Sequence, residues 1–128
     1  MNERTPLVSA VIPTRNRPEL VCRAVHSVLT QTVSGIECIV VIDGPDAATR
    51  HSLEEIDDPR LRVIALADSV GGCEARNRGA QAARGEWVAL LDDDDEWLPY
   101  RLEKQLAAAA DSPEPVTMVV SRDRKSNV

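Results

Sequence analysis

Short apolar runs alternate along this chain with segments whose apolar positions recur at helical spacing. Leu7 to Ile12 is Val-rich and reads as a strand stopped by Pro13. Pro18 to Thr30 reads as a helix: Pro18 suits its first turn, and Val21, Val25, Val28 and Leu29 share one face. Ile36 to Ile42 is nearly continuous in apolar residues, the pattern of a strand buried on both faces. Asp43-Gly44-Pro45-Asp46 is a turn, and Asp46 is placed to cap a helix that ends near Ile56, ahead of the breaker Asp57-Asp58-Pro59. Leu61 to Leu66 is a third strand. Gly71-Gly72 opens a helix from Cys73 to Ala83, whose small residues Ala75, Gly79, Ala82 and Ala83 allow close approach to a sheet. Glu86 to Leu91 is a fourth strand. Pro99 to Ala109 is a helix with Leu102, Leu106 and Ala109 inward, and Val116 to Val120 is a fifth strand. The remainder, Ser121 to Val128, is a polar tail.

Strand and helix alternate with short connections, which predicts a doubly wound α/β layer with a mostly parallel sheet and helices on both faces. A length of 128 residues suits one domain with its own core. Aromatics are only 2% and Phe is absent, so Val, Ile, Leu and Ala must build that core. In such sheets ligands bind beyond the carboxyl ends of the strands, where strand order reverses. Three polar clusters fall at those ends: Thr14-Arg15-Asn16-Arg17, Asp43, and Asp92 to Asp95.

The last cluster carries the strongest chemistry. The apolar stretch Trp87 to Leu91 runs directly into five consecutive acids, Asp92-Asp93-Asp94-Asp95-Glu96. Adjacent carboxylates repel, and a bound Mg²⁺ or Mn²⁺ relieves that repulsion while sharing oxygen ligands with a substrate phosphate. By charge pattern alone, a solvated loop explains the run as well. The other clusters also have two readings. Thr14 and Asn16 suit a ligand contact or the cap of the helix at Pro18. Asp43 suits a base or sugar contact or a plain turn before Gly44. Arg76 and Arg78, near a helix start, suit a phosphate or pairing with Glu74 or Asp68. Trp97 shields the site or anchors the next helix, and the anchor is the better reading.

Charge and cysteine content exclude several classes. A net charge of −6 with few aromatics argues against a nucleic-acid groove. Cys22, Cys38 and Cys73 form no Cys-x-x-Cys pair, so neither zinc nor a disulfide framework is expected. His26 and His51 read as surface residues. The glycine pair is too short for a phosphate loop, and no Gly-x-Ser-x-Gly elbow occurs. No apolar run is long enough to span a membrane, and the N-terminus lacks a signal-peptide layout. A cytoplasmic setting is expected, at the membrane face only through regions beyond this chain.

Four segments together resemble glycosyltransferase family 2. They are Val11-Ile12-Pro13-Thr14-Arg15-Asn16-Arg17-Pro18, Val40-Val41-Ile42-Asp43-Gly44, Gly71-Gly72 with Ala75-Arg76-Asn77-Arg78-Gly79, and Gly85 through Pro99. The resemblance implies a Rossmann-like GT-A fold and transfer of a sugar from a nucleotide-diphosphate sugar, most commonly a UDP-sugar, to an acceptor hydroxyl. It implies inversion and dependence on Mn²⁺ or Mg²⁺. Pro13, Thr14, Asn16, Asp43, Arg76, Asp92 and Asp93 are then expected around the nucleotide sugar. Asp94 is expected on the metal, with Asp95 a neighbouring support. Ile42 and Pro45 depart from the family pattern, which often has an acid and a Ser there. The general base and most of the acceptor site are expected beyond residue 128. Residues 1–120 would then be a C-terminally truncated donor-binding domain, and 121–128 the start of an acceptor region. Such a donor half is expected to bind nucleotide without efficient turnover. The competing classes are a non-catalytic nucleotide-binding domain and a receiver-like regulatory domain; the latter needs a lysine at a late strand end, and neither Lys104 nor Lys125 stands at one.

Overall fold

Strand β2 (Ile36–Ile42) is buried at every position, as its apolar sequence requires of a strand flanked on both sides and covered on both faces. It lies in a four-stranded sheet of order β3-β2-β1-β4, in which β1 is Val8–Thr14, β3 is Leu61–Ala65 and β4 is Trp87–Leu90. All three pairings are parallel. The helices between and after them are α1 (Pro18–Leu29), α2 (Ala47–Glu54), α3 (Gly72–Ala82) and α4 (Arg101–Ala110). This computed structural model describes residues 5–111. The expected strand at Val116 to Val120 and the polar tail lie outside the described residues.

Alternation along the strands divides the core in two. Val8, Ala10 and Ile12 of β1 and Ile36, Cys38, Val40 and Ile42 of β2 pack with the apolar stripe of α1, with Leu53 of α2 and with Leu102 of α4. Val11, Ile39 and Val41 face the other way, against Ala75 of α3. The path β1-α1-β2-α2-β3 steps outward across the sheet. The path β3-α3-β4 then returns past β2 and β1, with its helix on the opposite face. Reversing both direction and face keeps each crossover right-handed. The reversal opens a crevice at the carboxyl end of β1, between its two neighbours.

One boundary differs from the expectation. Strand β1 does not stop at Pro13: it continues to Thr14, with Pro13 opposite Val41 and Thr14 opposite Ile42. The reason lies in the ladder. The Thr14 carbonyl accepts from the Asp43 amide on the β2 side (2.9 Å), whereas the Val11 carbonyl accepts from Leu91 on the β4 side (3.0 Å). By alternation Pro13 faces the β4 side, past the last β1–β4 pair at Val11 and Leu90. Its missing N–H therefore costs no ladder bond.

The buried charge of Glu37 ties β4 into place. The Glu37 carboxylate accepts from the Ser9 hydroxyl, from the Arg62 guanidinium (2.9 Å) and from the Arg84 amide (2.8 Å). Arg62 also donates to the Ala82 carbonyl (2.9 Å), and the Gly85 amide donates to the Ser9 hydroxyl oxygen (2.8 Å). The turn from α3 into β4 is thus fastened to the sheet from beneath. It is also tight: a β-carbon on Gly85 would lie 2.8 Å from the Ser9 amide nitrogen. On α3 itself, a β-carbon on Gly79 would overlap the Val11 Cγ1 methyl.

Two predictions follow from this packing. Gly79→Ala gains about 1 kcal/mol of helix propensity but drives a methyl into a stiff, buried β-branched side chain. Overpacking costs about 1–3 kcal/mol, so the net change is destabilising. Gly85→Ala is worse, because its obstacle is backbone. Urea melts of both variants should give midpoints below wild type, in that order. The second concerns acid. Burial opposes the charge on Glu37, but the Ser9, Arg84 and Arg62 hydrogen bonds outweigh it and hold the carboxyl below its ordinary value. A carboxyl lowered in the folded state stabilises fully above the ordinary carboxylate range, and that contribution fades as pH falls through the lowered value. Glu37→Gln should cost roughly 2–3 kcal/mol at neutral pH and should flatten the acid limb of a stability-versus-pH curve.

Candidate functional site

The crevice at the end of β1 is a cavity of roughly 380 Å³ lined by Pro13, Thr14, Arg15, Arg17, Asp43, Gly72, Arg76, Asp92, Asp93 and Asp94. Each lining group arrives from a strand end or helix start. Thr14 closes β1, Asp43 follows β2, and the aspartates follow β4. Gly72 and Arg76 stand on the first turns of α3.

The acid run is held at both ends. Its front is fixed where the Leu91 amide joins β1. Its back is fixed by the end of α1 and the residues just beyond it. The Trp97 amide donates to the Ser27 hydroxyl oxygen (3.1 Å). Gln31 donates to the Leu98 carbonyl (2.7 Å) and accepts from the Leu102 amide (3.1 Å). The Trp97 ring is buried in the α1 side of the core, and the Arg101 guanidinium lies 5.8 Å from its centroid. Trp97 is therefore the anchor, as the sequence favoured. Between the clamps the chain turns back on itself, the Asp95 amide donating to the Asp92 carbonyl (3.1 Å).

Arginines neutralise much of the run. Arg17 reaches Asp93 Oδ1 at 3.0 Å and Asp94 Oδ2 at 3.5 Å. Arg76 reaches Asp92 Oδ1 at 2.9 Å, and Arg23 reaches Glu96 Oε2 at 2.7 Å. The Thr14 hydroxyl donates to the second oxygen of Asp93 (2.8 Å). Asp93 is the most buried of the three cavity aspartates and Asp94 is widely exposed.

Asp43 has a structural task. Its carboxylate accepts from the Val70 amide (2.7 Å), the Gly71 amide (3.1 Å) and the Ser69 hydroxyl (3.1 Å). The Val70 bond is the main reason its carboxyl sits below the ordinary value. These bonds set the loop that launches α3, with Gly71 at φ 93°, and so aim Arg76 into the cavity.

Of the residues expected here, Pro13, Thr14, Asp43, Arg76, Asp92, Asp93 and Asp94 all line the cavity. Asn16 is exposed and is not among the lining residues; its backbone N–H donates to the Asp46 carboxylate, which also caps α2 by accepting from the Thr49 backbone N–H. Asn16 takes φ 56°, a left-handed turn that Asn tolerates. Arg15 and Arg17, on either side of Asn16, line the cavity, and sequence reasoning had not assigned either of them. Arg78 pairs with Glu74 along α3 (2.9 Å) and stays out of the site. Among the described residues, no group of three or more His, Cys, Asp or Glu side chains is arranged to hold a metal ion by itself.

The chain belongs to glycosyltransferase family 2: the family model for Glycosyl transferase family 2 matches residues 9–128. It is 39% identical over 107 residues to the succinoglycan biosynthesis protein ExoO of Rhizobium meliloti (strain 1021), covering 84% of this chain and 31% of ExoO. Among solved structures it resembles S. aureus TarS 1–349 in complex with UDP, with a TM-score of 0.70 and 25% identity over 80% of this chain and 32% of that one. It also resembles the mannosyltransferase PcManGT from Pyrobaculum calidifontis in complex with GDP-Man and Mn²⁺, with a TM-score of 0.66 and 26% identity over 86% of this chain and 34% of that one. The fold is the GT-A fold, and the family is one of enzymes, which displaces the receiver-like reading. The chain spans between 31% and 43% of the length of the first curated relatives it matches. Among the described residues, no helix is long and apolar enough to cross a membrane.

Removing the Asp43 charge should loosen the loop it holds. Asp43→Asn cannot accept from all three donors at once, a loss of about 1–3 kcal/mol. Hydrogen exchange at the Val70 and Gly71 amides should accelerate about tenfold or more, with exchange at the β1–β2 ladder unchanged.

Proposed function

We propose that this chain is the donor-binding part of a glycosyltransferase that moves a sugar from a nucleoside-diphosphate sugar, a UDP-sugar by first choice, to an acceptor hydroxyl with inversion. One observation carries this reading: aspartates, arginines and a helix start from four separate segments converge on a single cavity at the strand-order reversal. Two structural neighbours were solved with UDP and with GDP-Man, so both nucleotides belong in the test.

The side chains divide the ligand between them. Thr14 and Asp43 stand at the β1 and β2 ends, where a base and ribose fit. Asp93, fixed by Thr14 and Arg17, serves the ribose side. Arg76, together with the helix start at Gly72, faces the diphosphate. Arg15 lines the same cavity and adds positive charge. Asp94, exposed as Asp92 is, is the carboxylate that would hold Mn²⁺ or Mg²⁺.

The donor set fits such a cation. It offers hard oxygen ligands but no closed cage, and Mg²⁺ is commonly held by one or two carboxylates with phosphates and water completing its shell. When bound, the ion stabilises the negative charge that grows on the departing diphosphate. In the reaction the acceptor oxygen bonds to the anomeric carbon as the bond from that carbon to the diphosphate oxygen breaks. A base takes the acceptor proton, and this reading assigns that base to residues beyond those described.

Calorimetric titration with UDP, GDP and dTDP, each with Mn²⁺ and with EDTA, tests the reading. One nucleotide should bind with Mn²⁺ and at least tenfold more weakly with EDTA. Asp94→Ala should abolish the difference. A folded chain that binds none of the three would overturn it.

A further inference from the structure

We propose that Arg17 is a built-in stand-in for the divalent cation: its guanidinium holds Asp93 and Asp94 until a cation displaces it, and the freed side chain then pairs with the ligand's diphosphate. The inference rests on the reading above and adds a device that the reading does not contain.

The geometry of three residues carries it. The Arg17 Nη1 nitrogen lies 3.0 Å from Asp93 and 3.5 Å from Asp94, so one guanidinium spans both carboxylates. Asp92 and Asp94 are both widely exposed, but Asp92 is paired with Arg76, whereas the only ion pair of Asp94 among the described residues is with Arg17. A cation arriving at Asp94 therefore competes directly with Arg17.

The pair is built to be displaced. The Arg17–Asp94 pair is exposed on both sides, 48% and 58%, and exposed ion pairs are weak; the shorter pair with Asp93, which is 12% exposed, loosens only once a dication offsets the charge beside it. Thr14 holds Asp93 through its other oxygen, so the departure of Arg17 leaves that carboxylate oriented. The backbone of Arg17 does not need to move either. It caps α1, its carbonyl accepting from the Val21 amide (2.9 Å), and Pro18 follows it. Only the long side chain has to swing, and it already lines the cavity.

The destination follows from chemistry. A guanidinium recognises carboxylate and phosphate with the same fork of donors. A dication on Asp94 offsets the charge of the two acids, so their pull on Arg17 weakens while the diphosphate supplies a competing one. Arg15 lines the same cavity, but its charge acts on Asp43 and Asp46 and not on the acid run, so a cation at Asp94 does not displace it. Arg17 alone among the cavity arginines is shared between Asp93 and Asp94.

The test uses the full chain as wild type, Arg17→Ala and Arg17→Lys. Mn²⁺ binding without nucleotide is read from the electron paramagnetic resonance of the free ion. UDP, GDP and dTDP are then titrated at saturating Mn²⁺. Arg17→Ala should bind Mn²⁺ about twofold to fivefold more tightly, yet bind the nucleoside diphosphate about tenfold more weakly. Arg17→Lys should fall between the two in both measurements. Opposite signs from one substitution are not produced by a merely structural role. Equal Mn²⁺ affinities in wild type and Arg17→Ala, or losses in both measurements, would overturn the proposal while leaving the donor-site reading in place. If all three folded proteins bind neither Mn²⁺ nor any of the nucleotides, the donor-site reading itself fails, and this proposal fails with it.

Discussion

Strand β1 is the constraint on which the other parts depend. It is hydrogen-bonded to a parallel neighbour on each side and covered by helices on both faces. A strand in that position must be almost wholly apolar, and Val8 to Ile12 is, apart from Ser9, whose hydroxyl is bonded to Glu37. It must also be the place where successive crossovers leave in opposite directions, so no connecting segment runs directly over its carboxyl end. The cavity is what remains there. Its contents are then set by whatever follows each strand: a hydroxyl from β1, a carboxylate after β2, and the acid run after β4.

The fold accommodates that acid run by two different means. Mechanically, the run is strung between the β1–β4 ladder and the clamp formed by Ser27, Gln31 and the Trp97 ring. Electrostatically, three arginines oppose it: Arg17 just before α1, Arg23 within α1 and Arg76 on α3. The mechanical part combines largely buried hydrogen bonds with the apolar area of the Trp97 ring and is hence strong. The electrostatic part is largely exposed, hence weak and open to exchange. A site that must admit and release a charged ligand is well served by this division.

Much of this was legible in the sequence because the signals were redundant. The nearly continuous apolar run of β2, the small residues of α3 and the acids after β4 each pointed to the same layered sheet. What was not legible depended on direction and not on residue type. Pro13 looked like a stop because the side its nitrogen faces cannot be known until the strand order is. Thr14 and Asn16 read alike in the sequence, as ligand contacts or helix caps, but the left-handed turn at Asn16 turns that residue to Asp46 and leaves Arg15 and Arg17 lining the cavity. Glu37 was hidden for a similar reason. A lone acid in an apolar strand shows its purpose only when Ser9, Arg62 and Arg84, distant in sequence, are seen around it.

The chain has two tryptophans, and they bracket β4. Trp87 opens the strand near the turn held by Glu37, and Trp97 lies just past the acids with an arginine over its ring. Their indole emission therefore reports on the two ends of the same strand. Without any attached dye, the fluorescence of this protein can register a change at the acids separately from a change at the α3–β4 turn, once either tryptophan is replaced by phenylalanine, a residue this chain otherwise lacks.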